Sequence, residues 1–215
     1  MIVTIDGPVG SGKSAVGRRL AKALGLTFVD SGLMYRAVGS LAVERGIDLN
    51  DADALTRLAG ATTVCIDGPC VSVDGRDVTE RVYAPDLSEA ASQVAQVPGV
   101  RLAVVAQLRA MGTGGVVMAG RDIGTVVFPD AAHKFYLTAS SEERARRRAA
   151  QIEQRGGRAD PDQLRIEVEE RDRRDAGRAV APMRPAADAI VLDTDGLDLA
   201  AVVAEVLRHV CGRSL

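Results

Sequence analysis

The sequence reads as an α/β protein built on a parallel five-stranded sheet flanked by helices, and three observations lead there. Short β-branched or apolar runs alternate with longer stretches of helical spacing, the first run leads straight into a glycine-rich segment and a helix, and the polar clusters fall just after strands. Strands separated by helical crossovers lie parallel and have both faces covered. Ligands of such sheets bind beyond the carboxyl ends of the strands.

The elements follow in order. Residues 2–5 (Ile-Val-Thr-Ile) form a short buried strand, and 14–24 carry the apolar spacing of a helix. A second strand at 27–29 is followed by helices at 35–45 and 53–59. From 62 to 79 the alternation breaks. Asp67-Gly68-Pro69 and Asp74-Gly75 are hairpin signals, so short strands joined by turns are expected there. The α/β rhythm resumes with a helix at 100–111, a strand at 115–118, a strand at 134–138, helices at 141–155 and 161–176, a strand at 189–192 and a helix at 199–210. Gly156-Gly157, between two Arg-rich helices, is placed as a hinge.

Residues 7–14, Gly-Pro-Val-Gly-Ser-Gly-Lys-Ser, match the phosphate-loop pattern G-x-x-x-x-G-K-[ST] between that first strand and helix. Glycines permit left-handed angles that turn successive N–H groups inward around a phosphate, and the helix N-terminus adds favourable partial charge. Gly7, Pro8, Val9, Gly10, Ser11, Gly12, Lys13, Ser14 and Ala15 are therefore the nucleoside-triphosphate site, with Lys13 reaching the β- and γ-phosphates and the Ser14 hydroxyl ligating Mg²⁺.

Composition bounds the remainder. With 215 residues the chain is one domain, or one domain with insertions, and buries about 70% of its extended surface. Hydrophobic residues make up 47% and charged residues 26%, as in an ordinary globular protein. A net charge of −2 provides no cationic field for nucleic acid, and 3% aromatics give few stacking platforms, which argues against a nucleic-acid-dependent ATPase. Met1-Ile2-Val3 enters a strand without a cationic leader, and no apolar stretch approaches the length of about 20 residues needed to span a bilayer. A cytoplasmic protein without a membrane partner is expected, and a monomer by default. Cys65 and Cys70 flank Asp67-Gly68-Pro69 and could face each other across a hairpin, yet three thiols make neither a disulfide framework nor a zinc site, and all three are read as small apolar fillers.

Three polar clusters stand at crevice-facing positions. Asp30-Ser31-Gly32 through Tyr35-Arg36 follows the second strand, Gly120-Arg121-Asp122 follows an apolar strand, and Arg171 through Arg178 closes a late helix. Each alone reads equally as a turn or a solvated charged face. Together they supply many guanidinium groups, which bind phosphate oxygens in pairs and so suit a second phosphorylated substrate. The Arg144 to Arg148 run, with Arg155 or Arg158, reads either as a lid over the triphosphate or as a solvated helix face.

The chain resembles the bacterial cytidylate kinases nearly end to end. The residues that carry the resemblance are Ile5-Asp6-Gly7-Pro8 with the phosphate loop, Asp30-Ser31-Gly32 through Arg36, Ala91-Ser92-Gln93-Val94-Ala95, and Pro98 with Val100-Arg101. To these are added residues 120–130, Gly-Arg-Asp-Ile-Gly-Thr-Val-Val-Phe-Pro-Asp, and Arg171-Asp172 with Arg178-Ala179-Val180-Ala181-Pro182. The resemblance implies a P-loop kinase core over residues 1–215, with a β-rich insert at about 62–85 that binds the monophosphate and a helical lid at about 148–165. It implies transfer of the γ-phosphoryl group of ATP to CMP or dCMP, with Mg²⁺. Carried over position by position, Ser31, Ser92, Arg101 and Asp122 surround the cytosine. Arg36, Arg121 and Arg178 hold the acceptor phosphate, and Arg171 with Asp175 addresses the ribose. Lys13, Arg121 and Arg178 act in catalysis.

The base chemistry agrees. Cytosine presents one amino donor and two acceptors on its pairing edge, so a carboxylate at 122 and a guanidinium at 101 complement it, whereas uracil would set a carbonyl against Asp122. A buried mismatch of that kind costs about 1–3 kcal/mol. The resemblance also exposes a departure: the family's strand before Gly120 ends in an acidic residue that helps organise Mg²⁺, and here that position is Ala119. Kinases for UMP, AMP or shikimate, and a regulatory module that binds nucleotides without catalysis, are the rival readings.

Overall fold

The structure is a computed structural model and describes residues 1–84, 86–154 and 156–212. Its elements run β1 (Ile2–Asp6), α1 (Lys13–Leu24), β2 (Thr27–Asp30), α2 (Gly32–Glu44), α3 (Ala52–Gly60), β3 (Val64–Asp67), β4 (Cys70–Val73), β5 (Arg76–Asp77), α4 (Thr79–Val82), α5 (Leu87–Val94) and α6 (Pro98–Met111). They continue with β6 (Val116–Gly120), a π-helical turn (Ile123–Val127), β7 (His133–Thr138), α7 (Ser141–Glu153), α8 (Pro161–Ala176), β8 (Ile190–Asp193) and α9 (Leu199–Cys211). The main sheet has five strands in the order β2-β6-β1-β7-β8. β1 runs parallel to β7, with Asp6 opposite Tyr136, and β7 runs parallel to β8. The expected α/β fold is present. Its central strands β1 and β6 are short, largely apolar and buried on both faces, as crossover helices require.

The chain packs as two compact units, residues 1–26 with 117–215, and residues 27–116. In the first, Val3, Ile5, Leu20, Phe135, Leu137 and Val206 are fully buried or nearly so. Its α7 and α8 form a helical hairpin closed by Ala145, Ala149 and Leu164, with Ile152 and Ala159 packed against them. The Ser140 hydroxyl caps α7 by accepting from Glu143 N, and Asp160 caps α8 by accepting from Asp162 N and Gln163 N, with Pro161 at the first helical position. Arg155, one of the two arginines read into the lid, lies outside the described residues.

In the second unit α2 packs on α5 and α3 on α6. Gly39 lets α2 come close, since a Cβ there would stand 3.2 Å from the backbone at Ala90 and Ala91. The strands expected between 62 and 79 form the antiparallel sheet β3-β4-β5. Gln107 of α6 ties it down, donating to Thr62 O and accepting from Val64 N, both at 2.9 Å. Arg76 also pairs with Glu44 of α2 through both nitrogens.

One reading of the sequence is corrected: Cys65, Cys70 and Cys211 are all exposed. Alternation along β3 buries Val64 and Ile66 and so turns Cys65 outward, which makes these thiols surface groups and not fillers. α5 and the π-helical turn are additions the sequence did not suggest.

Candidate functional site

β1 ends at Asp6 and the chain turns at once into the glycine-rich loop. Gly7 has φ +143°, and a Cβ there would lie 2.0 Å from Leu137 O, so only glycine lets the loop pass this close to β7. Lys13 is buried, and its ammonium donates to Pro8 O at 2.5 Å and lies 3.5 Å from Ser11 Oγ. α1 begins at Lys13 with no side-chain cap, so the first turn of the helix, which carries Ser14, directly follows the loop. A glycine backbone wrapped around a buried lysine at the head of a helix is the geometry that suits a phosphate.

Arg144 departs from both readings of the arginine run. It is buried, pairs with Asp172 of α8, and donates to Val9 O at 3.2 Å and Ala139 O at 3.0 Å. It braces the phosphate loop from behind, because the first turn of α7 runs beside the loop: a Cβ on Gly10 would fall 2.9 Å from Arg144 Cβ. Arg146 is exposed on Glu143, and Arg147 donates to Glu143 and to the hydroxyl and carbonyl of Thr194.

At the end of β6, Asp122 is buried and the Arg121 side chain is 17% exposed. Arg121 donates to Asp175 Oδ2 at 2.9 Å and to Gly7 O at 3.0 Å, so it spans from α8 to the phosphate loop. Arg178 pairs with the other oxygen of Asp175. Burial pushes the Asp175 carboxyl up, but the Arg121 and Arg178 guanidiniums outweigh it and hold the group below the usual carboxylate range. Three of the sequence-predicted residues thus form one ion-pair cluster beside the phosphate loop, with two cations sharing one anion. Such a cluster has positive charge left over for an incoming phosphate. Arg171 lies on the same helix, α8, one turn before Asp175.

The other predicted residues belong to the second unit. Ser31 is buried at the start of α2, and the Ser92 hydroxyl is buried with no hydrogen-bond partner among the described residues. A buried hydroxyl without a partner is what a ligand-binding group looks like when the protein itself does not satisfy it. Arg101 is 2% exposed, donates to Ala95 O at 3.1 Å, and lies 5.4 Å over the Tyr35 ring. Arg36 donates to Val82 O, Ala84 O and Ser88 Oγ, at 3.0, 3.1 and 2.6 Å. Tyr35 and Ser88 are functional candidates that the sequence reading passed over; Tyr35 stood inside a quoted cluster, one residue from Arg36.

For a metal, no three His, Cys, Asp or Glu side chains converge among the described residues. A hard cation that arrives with a triphosphate needs few protein oxygens, and Ser14 in the first turn of α1 fits that demand. Ala119 is buried within β6 and offers no ligand. Asp6, at the end of β1, is buried and its two oxygens accept from Ile123 N at 2.9 Å and Gly124 N at 2.7 Å.

A family model described as cytidylate kinase matches residues 3–211. The cytidylate kinase of Pelotomaculum thermopropionicum is 48% identical over 97% of this chain and 95% of its own length. That of Pseudomonas aeruginosa is 44% identical over 97% of this chain and 94% of its own. A bifunctional pantoate ligase/cytidylate kinase of Synechococcus sp. is 46% identical over 96% of this chain, which spans 40% of that longer protein. Among solved structures, an uncharacterised protein from Eubacterium ventriosum superposes with a TM-score of 0.54 at 11% identity, covering 99% of both chains.

Proposed function

The chain belongs to the cytidylate kinase family, and on that premise we propose that it transfers the γ-phosphoryl group of ATP to CMP or dCMP, giving ADP and CDP or dCDP. One observation carries the proposal: the family match spans residues 3–211 and so takes in the phosphate loop and every acceptor-site residue named above.

In this reading the loop amides, Lys13 and the α1 N-terminus bind the triphosphate of ATP. Ser14 would hold a Mg²⁺ ion arriving with the triphosphate, and that ion would supply charge neutralisation. Arg36, Arg121 and Arg178 hold the acceptor phosphate, and Lys13, Arg121 and Arg178 stabilise the charge that spreads over the transferring group. Ser31, Ser92, Arg101 and Asp122 recognise cytosine. Arg171 and Asp175 bind the ribose; each Asp175 oxygen keeps a lone pair after its arginine contact, which is enough for a hydroxyl. The attacking phosphate oxygen is already ionised at neutral pH, so no general base is needed. Residues 62–85 serve as the monophosphate-binding insert and 148–165 as the lid. The enzyme acts as a cytoplasmic monomer on small-molecule substrates, without a nucleic-acid or membrane partner.

The test is product identification. Incubation with ATP, Mg²⁺ and CMP, followed by anion-exchange chromatography, yields stoichiometric CDP and ADP. Binding of both nucleotides by calorimetry with no CDP formed would instead make the protein a nucleotide-binding regulator.

A further inference from the structure

We propose that Asp6 is a positioning residue for base recognition: its buried carboxylate fixes the π-helical turn Ile123–Val127, and with it the backbone that carries Arg121 and Asp122. The inference rests on the cytidylate kinase reading. A helical turn begins with N–H groups that have no partner within the turn. Here the N–H groups of Ile123 and Gly124 are such donors, and each is taken by one oxygen of Asp6, at 2.9 and 2.7 Å. Downstream, Asp122 O accepts from Val126 N at 2.8 Å and Ile123 O from Phe128 N at 2.7 Å, so the turn closes on itself while Asp6 holds its start. That start immediately follows Asp122, a residue 4% exposed with little room to reorient independently of its backbone.

The seat of the turn is equally tight. A Cβ on Gly124 would come 2.9 Å from Thr4 Oγ1 and 3.4 Å from Asp6 Oδ2, so the glycine lets the turn settle onto the β1 face that presents Thr4 and Asp6. Burial pushes the Asp6 carboxyl up to about 6, against the two N–H bonds; nearby Asp122 adds to the rise and Lys13 opposes it. At neutral pH the group is predominantly ionised, the form that can accept from two amides at once. Both oxygens meet backbone amides of the turn, so Asp6 acts on the base through the backbone it holds.

The test is the Asp6→Asn variant, which preserves shape but offers one acceptor and turns an NH₂ toward the other amide. The expected result is a CMP KM raised roughly tenfold to a hundredfold, the price of one buried unsatisfied donor. The preference for CMP over UMP should shrink at least about tenfold, while the ATP KM stays within about threefold. Gly124→Ala leaves Asp6 intact and lifts the turn sterically, and it is expected to give the same CMP-selective pattern; it decides the question if Asp6→Asn does not fold. KM values for ATP and CMP rising together, or an unchanged CMP-to-UMP preference in a folded variant, would overturn the inference. Absence of CMP turnover in the parent protein would instead overturn the functional reading on which it rests.

Discussion

Replacing Asp175 by Asn probes the ion-pair cluster most sharply. The Asp175 side chain is 2% exposed and lies between guanidiniums whose side chains are 17% and 7% exposed, so the substitution strands two cations with little access to water. Removing one partner from a buried pair costs about 3–5 kcal/mol. The lower end applies here, because Arg121 keeps the Gly7 carbonyl as an acceptor. For a chain of this size about 3 kcal/mol lowers the melting midpoint by roughly 6–12 °C. The same logic predicts a compensation: with the anion between them neutralised, the two guanidiniums carry more excess positive charge and bind an anion more tightly, so added sulfate should raise the variant's midpoint by more than it raises the parent's. Differential scanning calorimetry with and without sulfate measures both effects. A midpoint within about 2 °C of the parent, with the same sulfate response, would refute the view that Asp175 neutralises buried charge.

Further consequences follow from other residues. Asp122→Asn should leave ATP binding unchanged and reduce the preference for CMP over UMP by roughly tenfold to a hundredfold, read from kcat/KM for each acceptor. Ala119→Asp places a carboxylate at the end of β6 and should lower the Mg²⁺ concentration needed for half-maximal rate or raise kcat; an unchanged Mg²⁺ titration and kcat would show that position 119 does not bear on the metal. Asp6 also has a pH signature. Its folded-state pKa is raised from 3.8 to about 6, so the folded state holds this proton more tightly, and the stability so gained is present below about pH 4 and lost as pH rises through 6. The span corresponds to about 3 kcal/mol, and urea unfolding from pH 4 to 7 should show that slope in the parent and not in Asp6→Asn. Asp175, held low, contributes in the opposite sense: its stability is present above the usual carboxylate range and lost as pH falls through its lowered value.

What the sequence disclosed was local. The strand, glycine-rich loop and helix at the start were readable because such a unit depends on residue types at fixed spacing, and the structure forms it at Ile2–Asp6 and Lys13–Leu24. The hairpins near Gly68 and Gly75 were readable for the same reason, since both glycines take left-handed angles. Pairings across long stretches of chain were not. Arg121 and Asp175 are 54 residues apart, and Asp6 and Ile123 are 117 apart, so no spacing rule links them. The turn at Ile123–Val127 was hidden by its composition, since Ile-Gly-Thr-Val-Val favours a strand and becomes helical only where Asp6 receives its first amides. Arg144 misled because a run of arginines on a helix usually faces water, whereas this one turns inward to Asp172 and the Val9 carbonyl.

The most direct measurement is a coupled ADP-release assay with Mg-ATP and a panel of CMP, dCMP, UMP, AMP and GMP. Turnover confined to CMP and dCMP is the predicted result. Equal or greater turnover with UMP or AMP would contradict the assignment of Ser92, Arg101 and Asp122 to cytosine.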